Sequence, residues 1–295
     1  IFEKYAIAAY LISLALSTLV LFAGNAYNGS RRWLSLGPLS FQPSEFAKLA
    51  VILFLARMVG RQKKKRNSFL NLVFVIALVL PIVALVGTNN LSTAIIILGI
   101  AVIVVFVSDK RYMQFVWIAA AGAGMMALFL GMESYRLERI AIWKNPEAYE
   151  KGYQTIQGLY AIGSGGLFGK GFGESIQKLG FVPEAQNDMI FSIICEELGF
   201  VGATILMLVF LVLIWRFMVI AVHAPDLFGS LIAAGAMGHI AIQVILNVAV
   251  VTNTIPNTGI TLPFISYGGT SVLFLLSEMG LVLAVSRWQS EKKCI

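Results

Sequence analysis

Apolar runs of about the length that crosses a bilayer, on the order of 20 residues each, recur near residues 5–24, 43–58, 68–86, 91–107, 113–132, 189–216, 228–252 and 272–288. In hydrocarbon every backbone N–H and C=O has to be satisfied inside the protein, which leaves only helices or a closed barrel. Runs this long and this continuous select helices. The sequence therefore predicts an all-α, polytopic transmembrane bundle of about eight helices. The second and fourth runs are short, which leaves their boundaries open, with a tilt or break as one way to span. With 58% hydrophobic and 13% charged residues, no water-soluble domain fits the chain.

The net charge of +7 is explained by where the cations fall, and nucleic-acid binding is not expected. RQKKKR at 61–66, Lys110, Arg111, Arg216, Arg287, Lys292 and Lys293 all lie on one side of the bundle, which the positive-inside rule makes cytoplasmic. The other side carries three substantial segments, 25–42, 133–187 and 253–271, and 133–187 is read as one large extracytoplasmic loop within a single domain spanning 1–295. These segments hold Arg31, Arg32, Arg136, Arg139, Lys144, Lys151, Lys170 and Lys178. Acids such as Glu138, Glu174 and Glu184 can pair with part of this set, and the rest is suited to an anionic ligand such as a pyrophosphate. Cys195 and Cys294 have no metal-ligand spacing, and His223 and His239 stand alone. The chain starts at Ile1 and enters an apolar run at Tyr5, so an N-terminal truncation is expected.

The functional residues sought first are acids at membrane depth, where charge is expensive. Asp188 stands where a polar loop enters an apolar run, and Glu196 and Glu197 lie about 12 Å deeper at helical rise. Asp188 can be a helix N-cap, or a general base whose partial desolvation brings its pKa toward the operating pH; the two deeper acids are expected to be structural. Glu45 and Lys48, three apart on one helical face, can pair either as a clip between helices or as part of a site, with Arg32 and Trp33 just upstream. The glycine-rich GSGGLFGKGFG at 163–173 is not a nucleotide loop, because Lys170 precedes Gly171 and not Ser or Thr. A tightly folded or re-entrant loop explains those glycines better. IPNTGITLPFISYGGTS at 255–271 suits non-helical backbone that lines a watery cavity.

Five ordered blocks, NGSRRWLSLGPLSFQPSEFAKLA, GYQ at 152–154, GGLFGKGFG, VPEAQNDMIF with EELG, and PNTGITLPFISYGGTS, resemble the SEDS family of peptidoglycan glycosyltransferases typified by FtsW, RodA and SpoVE. The tail looks closer to the FtsW and SpoVE branch. The resemblance implies a ten-helix fold, of which the first two helices would be missing here. It implies polymerisation of lipid II at the outer face of a bacterial cytoplasmic membrane, for cell division or sporulation, alongside a class B penicillin-binding protein and other division or elongation proteins. It places the catalytic base on Asp188. Arg32, Trp33, Glu45, Lys48, Arg136, Arg139, Gln154, Lys170 and Lys178 are the expected substrate-binding set, and Mg or Mn is a possible cofactor that no ligand cluster demonstrates. This chain departs from the family pattern twice. Gln186, Asn187, Asp188 and Met189 stand where His-Thr-Asp-Phe is common, and Asn89, Asn90, Leu91, Ser92 and Thr93 where Pro-Asp-Leu-Gly-Thr is common. A lipid II flippase and a non-catalytic division scaffold are the competing readings.

Overall fold

The structure, a computed structural model, describes residues 2–27, 30–36, 39–61, 69–108, 120, 124 and 134–293. Among these, nine α-helices and one small sheet follow in chain order: α1 Phe2–Ala23, β1 Asn25–Tyr27, β2 Ser30–Leu36, β3 Leu39–Phe41, α2 Pro43–Arg61, α3 Phe69–Asn89, α4 Leu91–Ser108, α5 Ser134–Lys144, α6 Tyr153–Gly165, α7 Ile190–His223, α8 Leu227–Val251 and α9 Gly269–Lys293. Five of them, α1, α4, α7, α8 and α9, are long and apolar enough to cross a membrane, so this is a multi-pass membrane bundle. The run at 113–132 and most of the basic 61–66 segment lie outside the described residues.

Two compact units are formed. The first comprises Ile1–Val116, Ile214–Ile242 and Gly269–Ile295, the second Trp117–Leu213 and Gln243–Gly268. In the first unit α2 is the core element, packed against α1 and α4. From Ala47 to Ala56 it is buried on every face, which is why, Lys48 apart, its residues there are apolar without an amphipathic stripe. Tyr10 of α1 stacks on Phe54 at 4.2 Å. An added Cβ on Gly235 of α8 would stand 2.9 Å from Ile52 and 3.2 Å from Val104, and one on Gly238 2.7 Å from Ile103, so larger residues there would crowd these neighbours. Small residues of this kind let helices approach where lipid offers no hydrophobic drive to associate.

Residues 25–27, 30–36 and 39–41 pair where the sequence predicts only a loop. They form an antiparallel meander, with Tyr27 opposite Ser30 and Leu36 opposite Leu39. In the sequence the dipeptides Asn28-Gly29 and Gly37-Pro38, of turn-favouring composition, are the local signal for it.

In the second unit the segment 133–187 contains α5, α6 and short 3₁₀ turns at Pro146–Ala148, Glu150–Gly152 and Gln177–Leu179. The buried face of α6 is Thr155, Gly158, Ala161 and Gly165, a small-residue stripe that seats it directly on α7. A Cβ on Gly165 would stand 1.9 Å from the carbonyl oxygen of Cys195.

The run beginning at 189 is not one continuous helix. Gly199, with φ 68 and ψ −169, breaks α7 near its start. A helix break strands backbone groups, and at membrane depth each must find a partner. The glycine-rich segment supplies them: Lys170 and Gly171 donate their N–H groups to the carbonyls of Glu196 and Glu197 at 2.9 and 3.0 Å, and Phe200 and Val201 donate to Gly166 and Leu167 at 2.9 and 3.0 Å. The unusual backbone angles of GGLFGKG therefore serve to dock a loop on an interrupted helix.

Candidate functional site

The side chains the sequence singles out separate into three groups. The first centres on Asp188, two residues before α7 and buried. Its carboxylate accepts a hydrogen bond from Gln154 Nε2, in the first turn of α6, at 3.4 Å, while the same amide donates to Pro183 O at 3.2 Å. Gln154 Oε1 accepts from Asn257 Nδ2 at 3.1 Å, and Asn257 O accepts from Arg139 Nη1 at 3.0 Å. A string of polar groups thus runs from an exposed guanidinium on α5 to a buried carboxylate. Arg139 and Trp143, four apart on one face of α5, both grip this segment, since Trp143 Nε1 donates to Asn253 O at 2.9 Å.

The backbone around Asp188 is held by the 255–268 segment and by α8. Asn247, fully buried in an apolar helix, donates Nδ2 to the carbonyls of Asp188 and Ile260 at 2.8 and 2.6 Å. Ser266 Oγ donates to Asn187 O at 2.7 Å, and the Tyr267 N–H donates to Gln186 O at 2.8 Å. Gly259, with φ +68, lies over the carboxylate, where a Cβ would stand 3.7 Å from Asp188 Oδ2. Burial pushes the Asp188 pKa up from 3.8 to about 6, Glu184 adding to the rise while its own N–H, Arg139 and Gln154 oppose it. Capping of α7 does not occupy the carboxylate, whose hydrogen bonds come from Gln154 and its own N–H.

The second group is the loop clasp. Glu196, wholly buried, binds Lys170 Nζ at 2.6 Å, Ser175 Oγ, Ser164 Oγ at 3.3 Å and the Gln177 N–H at 3.2 Å. Glu197 binds Lys178 Nζ at 2.7 Å and the Gly173 N–H at 3.0 Å. The ammonium groups of Lys170 and Lys178, expected from the sequence to meet substrate, lie here against the acids of α7, at 2.6 and 2.7 Å, with about a third of each side chain exposed.

The third group lies in the first unit. Glu45 and Lys48 pair at 3.0 Å with side chains 7% and 2% exposed. Ser271 bonds to Glu45, His239 acts on it electrostatically, and His239 Nδ1 in turn lies 2.8 Å from Glu278 Oε2. Buried charges persist only when matched, and removing one partner strands the other. Glu45→Ala is expected to destabilise the protein by about 3–5 kcal/mol, whereas the double change Glu45→Gln with Lys48→Met is expected to recover most of that loss. Thermal unfolding of the single and double variants in detergent measures the difference; equal loss in both would show that packing, not charge, is at stake. Arg32, on β2, donates Nε to Asn89 O at 2.8 Å. Trp33, half-buried, stands opposite Asn25 across the β1–β2 pair. The side chain of Arg136 lies outside the described residues.

Residues 1–291 match the FtsW/RodA/SpoVE family, described as a cell cycle protein. The chain belongs to this family. Stage V sporulation protein E of Bacillus subtilis is 44% identical over 275 residues, covering 90% of this chain and 74% of that one. A probable peptidoglycan glycosyltransferase FtsW of Trichlorobacter lovleyi is 37% identical, covering 97% of this chain and 77% of its own. Among solved structures, a peptidoglycan synthase complex studied for coordination of polymerization and crosslinking aligns with TM-score 0.81 and 32% identity, over 97% of this chain and 82% of that one. The rod shape determining protein RodA of Thermus thermophilus aligns with TM-score 0.68 and 31% identity, over 97% and 78%.

Within the FtsW/RodA/SpoVE fold, the altered neighbours of Asp188 are held through backbone and side chains alike, the Asn187 amide donating to the Glu184 carboxylate. Gln186 and Asn187 are gripped through their carbonyls. Met189 instead packs its methyl against Gly158, where an added Cβ would stand 2.2 Å away. Sequence reasoning missed Asn247, Asn257 and Ser266. An amide in the middle of an apolar run is itself a signal, and Asn247 carries it. Among the described residues no group of three or more His, Cys, Asp and Glu side chains could hold a metal ion.

Proposed function

We propose that this chain is a peptidoglycan glycosyltransferase that polymerises lipid II, with Asp188 as general base on the outer side of the membrane. The observation that carries the reading is a buried carboxylate, poised near pH 6 and linked by Gln154 and Asn257 to the exposed cation Arg139. Asp188 takes the proton from the acceptor's GlcNAc 4-hydroxyl as that oxygen forms a bond to C1 of the donor MurNAc. The C1–O bond to undecaprenyl pyrophosphate breaks, the leaving group departs with the electron pair, and the α-linked donor becomes a β-1,4 linkage. Arg139 supports the developing negative charge of the leaving group. Gln154 fixes the carboxylate, and release of its proton to water resets the base.

Asp188 with the neighbouring Glu184 is too small an acid set for a protein-held metal site among the described residues, since a divalent ion needs several oxygen donors. Mg or Mn fits only as an ion that the pyrophosphate brings, and no step above depends on it. A class B penicillin-binding protein is the partner this reading calls for, because the new strand needs crosslinking; the solved relative named for polymerization and crosslinking supports that choice.

The test is extension of purified lipid II into glycan strands by the protein with its transpeptidase partner. Translocation of lipid II in proteoliposomes without polymer would select the flippase, and partner recruitment with neither activity the scaffold. A base must be ionised to act, so the rate is expected to rise with pH as a single-proton limb with its midpoint at about 6. A flat profile from pH 5 to about 7.5 would remove Asp188 as the base.

A further inference from the structure

Two peptide planes meet at the Cα of Asp188, and a side chain from another part of the second unit grips each of them. On one side Ser266 Oγ donates to Asn187 O at 2.7 Å, and on the other Asn247 Nδ2 donates to Asp188 O at 2.8 Å. Both bonds go to backbone. They fix the direction of the Cα–Cβ bond of Asp188 without occupying its carboxylate.

The first turn of α7 gives this grip its purpose. The Ser192 N–H bonds to Met189 O at 3.0 Å, so the turn closes on Met189 and not on Asp188. If α7 began earlier, the same N–H would take the carbonyl of Asp188, and the carboxylate would lie on the helix surface. Asn247 takes that carbonyl instead and keeps Asp188 in the turn before the helix. Its amide also donates to Ile260 O at 2.6 Å, next to Gly259, whose backbone stands over the carboxylate. One amide thus ties the peptide that carries the acid to the strand of backbone that roofs it.

Asn247 is fully buried in α8, a helix apolar enough to span a membrane. An amide at such depth is costly unless its polar atoms have partners. Leucine has nearly the same shape and would suit the helix better, but it could hold neither carbonyl.

We propose that Asn247, with Ser266 on the other side of the residue, is a positioning residue for the base: it acts on the reaction only by fixing where the Asp188 carboxylate points. The inference rests on Asp188 being that base.

The protein with its transpeptidase partner is assayed over a range of lipid II concentrations, and each rate is divided by the folded fraction from size exclusion. Asn247→Leu is expected to lower kcat about 10²-fold, the cost of a displacement of about 1 Å at a reacting group, and to leave KM within about threefold. Ser266→Ala removes a smaller side chain and folds even if Asn247→Leu does not; the same split is expected from it, at about tenfold in kcat. Ser192→Ala is the structural control. It removes a buried bond of the same kind, to Met189 O at 2.7 Å, one residue past the acid, and is expected to lower Tm with kcat unchanged. A wholly structural Asn247 predicts wild-type kcat per folded molecule in all three variants, and that result overturns the inference. A loss confined to KM overturns it as well. Asp188→Asn in the same series keeps the two readings apart. If it is inactive while folded Asn247→Leu and Ser266→Ala retain wild-type kcat, Asp188 stays the base and the clamp is refuted. If it is fully active, the base is refuted and the clamp falls with it.

Discussion

Asp188→Asn is expected to abolish glycan polymerisation, lowering it by about 10³-fold or more, and at the same time to raise the unfolding temperature at pH 7.5. The first effect follows if the group is the base, since an amide cannot accept the proton and loss of such a contact removes orders of magnitude in rate. The second follows from linkage. The folded-state pKa is raised from 3.8 to about 6, so between those values the folded protein holds a proton that the unfolded chain has lost. Stability falls as pH rises through that window, and above it the buried charge costs about 3 kcal/mol, at about 1.4 kcal/mol for each tenfold. Asparagine has nearly the same shape and carries no charge, so Gln154 keeps a partner and the desolvation cost disappears. A purely structural Asp188 predicts the opposite pairing, a less stable protein whose activity falls only in step with its folded fraction. Polymerisation assays and melting curves on the same preparation separate the two. Full activity in a well-folded variant would end the catalytic assignment.

Gly169→Ala is expected to prevent the protein from reaching its folded state. Gly169 has φ +78, and a Cβ there would stand 2.1 Å from the carbonyl oxygen of Glu197, a backbone atom that cannot swing aside. The loop would have to lift from the broken helix. That would orphan the carbonyls of Glu196 and Glu197, the N–H groups of Phe200 and Val201, and the wholly buried Glu196 carboxylate. At about 1–3 kcal/mol for each unsatisfied buried group, the total exceeds about 4 kcal/mol. Gly199→Ala is expected to behave alike, since its Cβ would lie 2.3 Å from Gly169 N. Gly163→Ala meets nothing within 4 Å and should be silent. Gly173→Ala has open space but φ +85, so about 1–2 kcal/mol of left-handed strain is its whole effect. Size-exclusion profiles of the tagged variants after mild heating rank them, and a monodisperse Gly169→Ala with wild-type melting would show that the loop does not hold the break.

The helices were largely legible because spanning length and unbroken apolarity leave the backbone only one structure in lipid. The strands at 25–41 were not, because a short meander needs only turn dipeptides and a partner, and its alternation is drowned by the apolar runs on either side. Asp188, Glu196 and Glu197 were all visible as expensive acids. Their division was partly foreseeable from depth, but Lys170 and Lys178 show the limit. From sequence they are loop cations equally suited to an anionic substrate, and only the folded loop brings them within 2.6 and 2.7 Å of Glu196 and Glu197.

The chain's own residues thus determined a multi-pass helical bundle, its family blocks and Asp188 as the acid to examine, because hydropathy and ordered motifs are local properties of the string. Tertiary structure decided what Asp188 is joined to. Gln154, Asn247 and Asn257 lie 34, 59 and 69 positions away in sequence, and hydrogen bonds across such separations are set by the packing of α6 on α7 and by the return of the 255–268 segment, which no periodicity encodes.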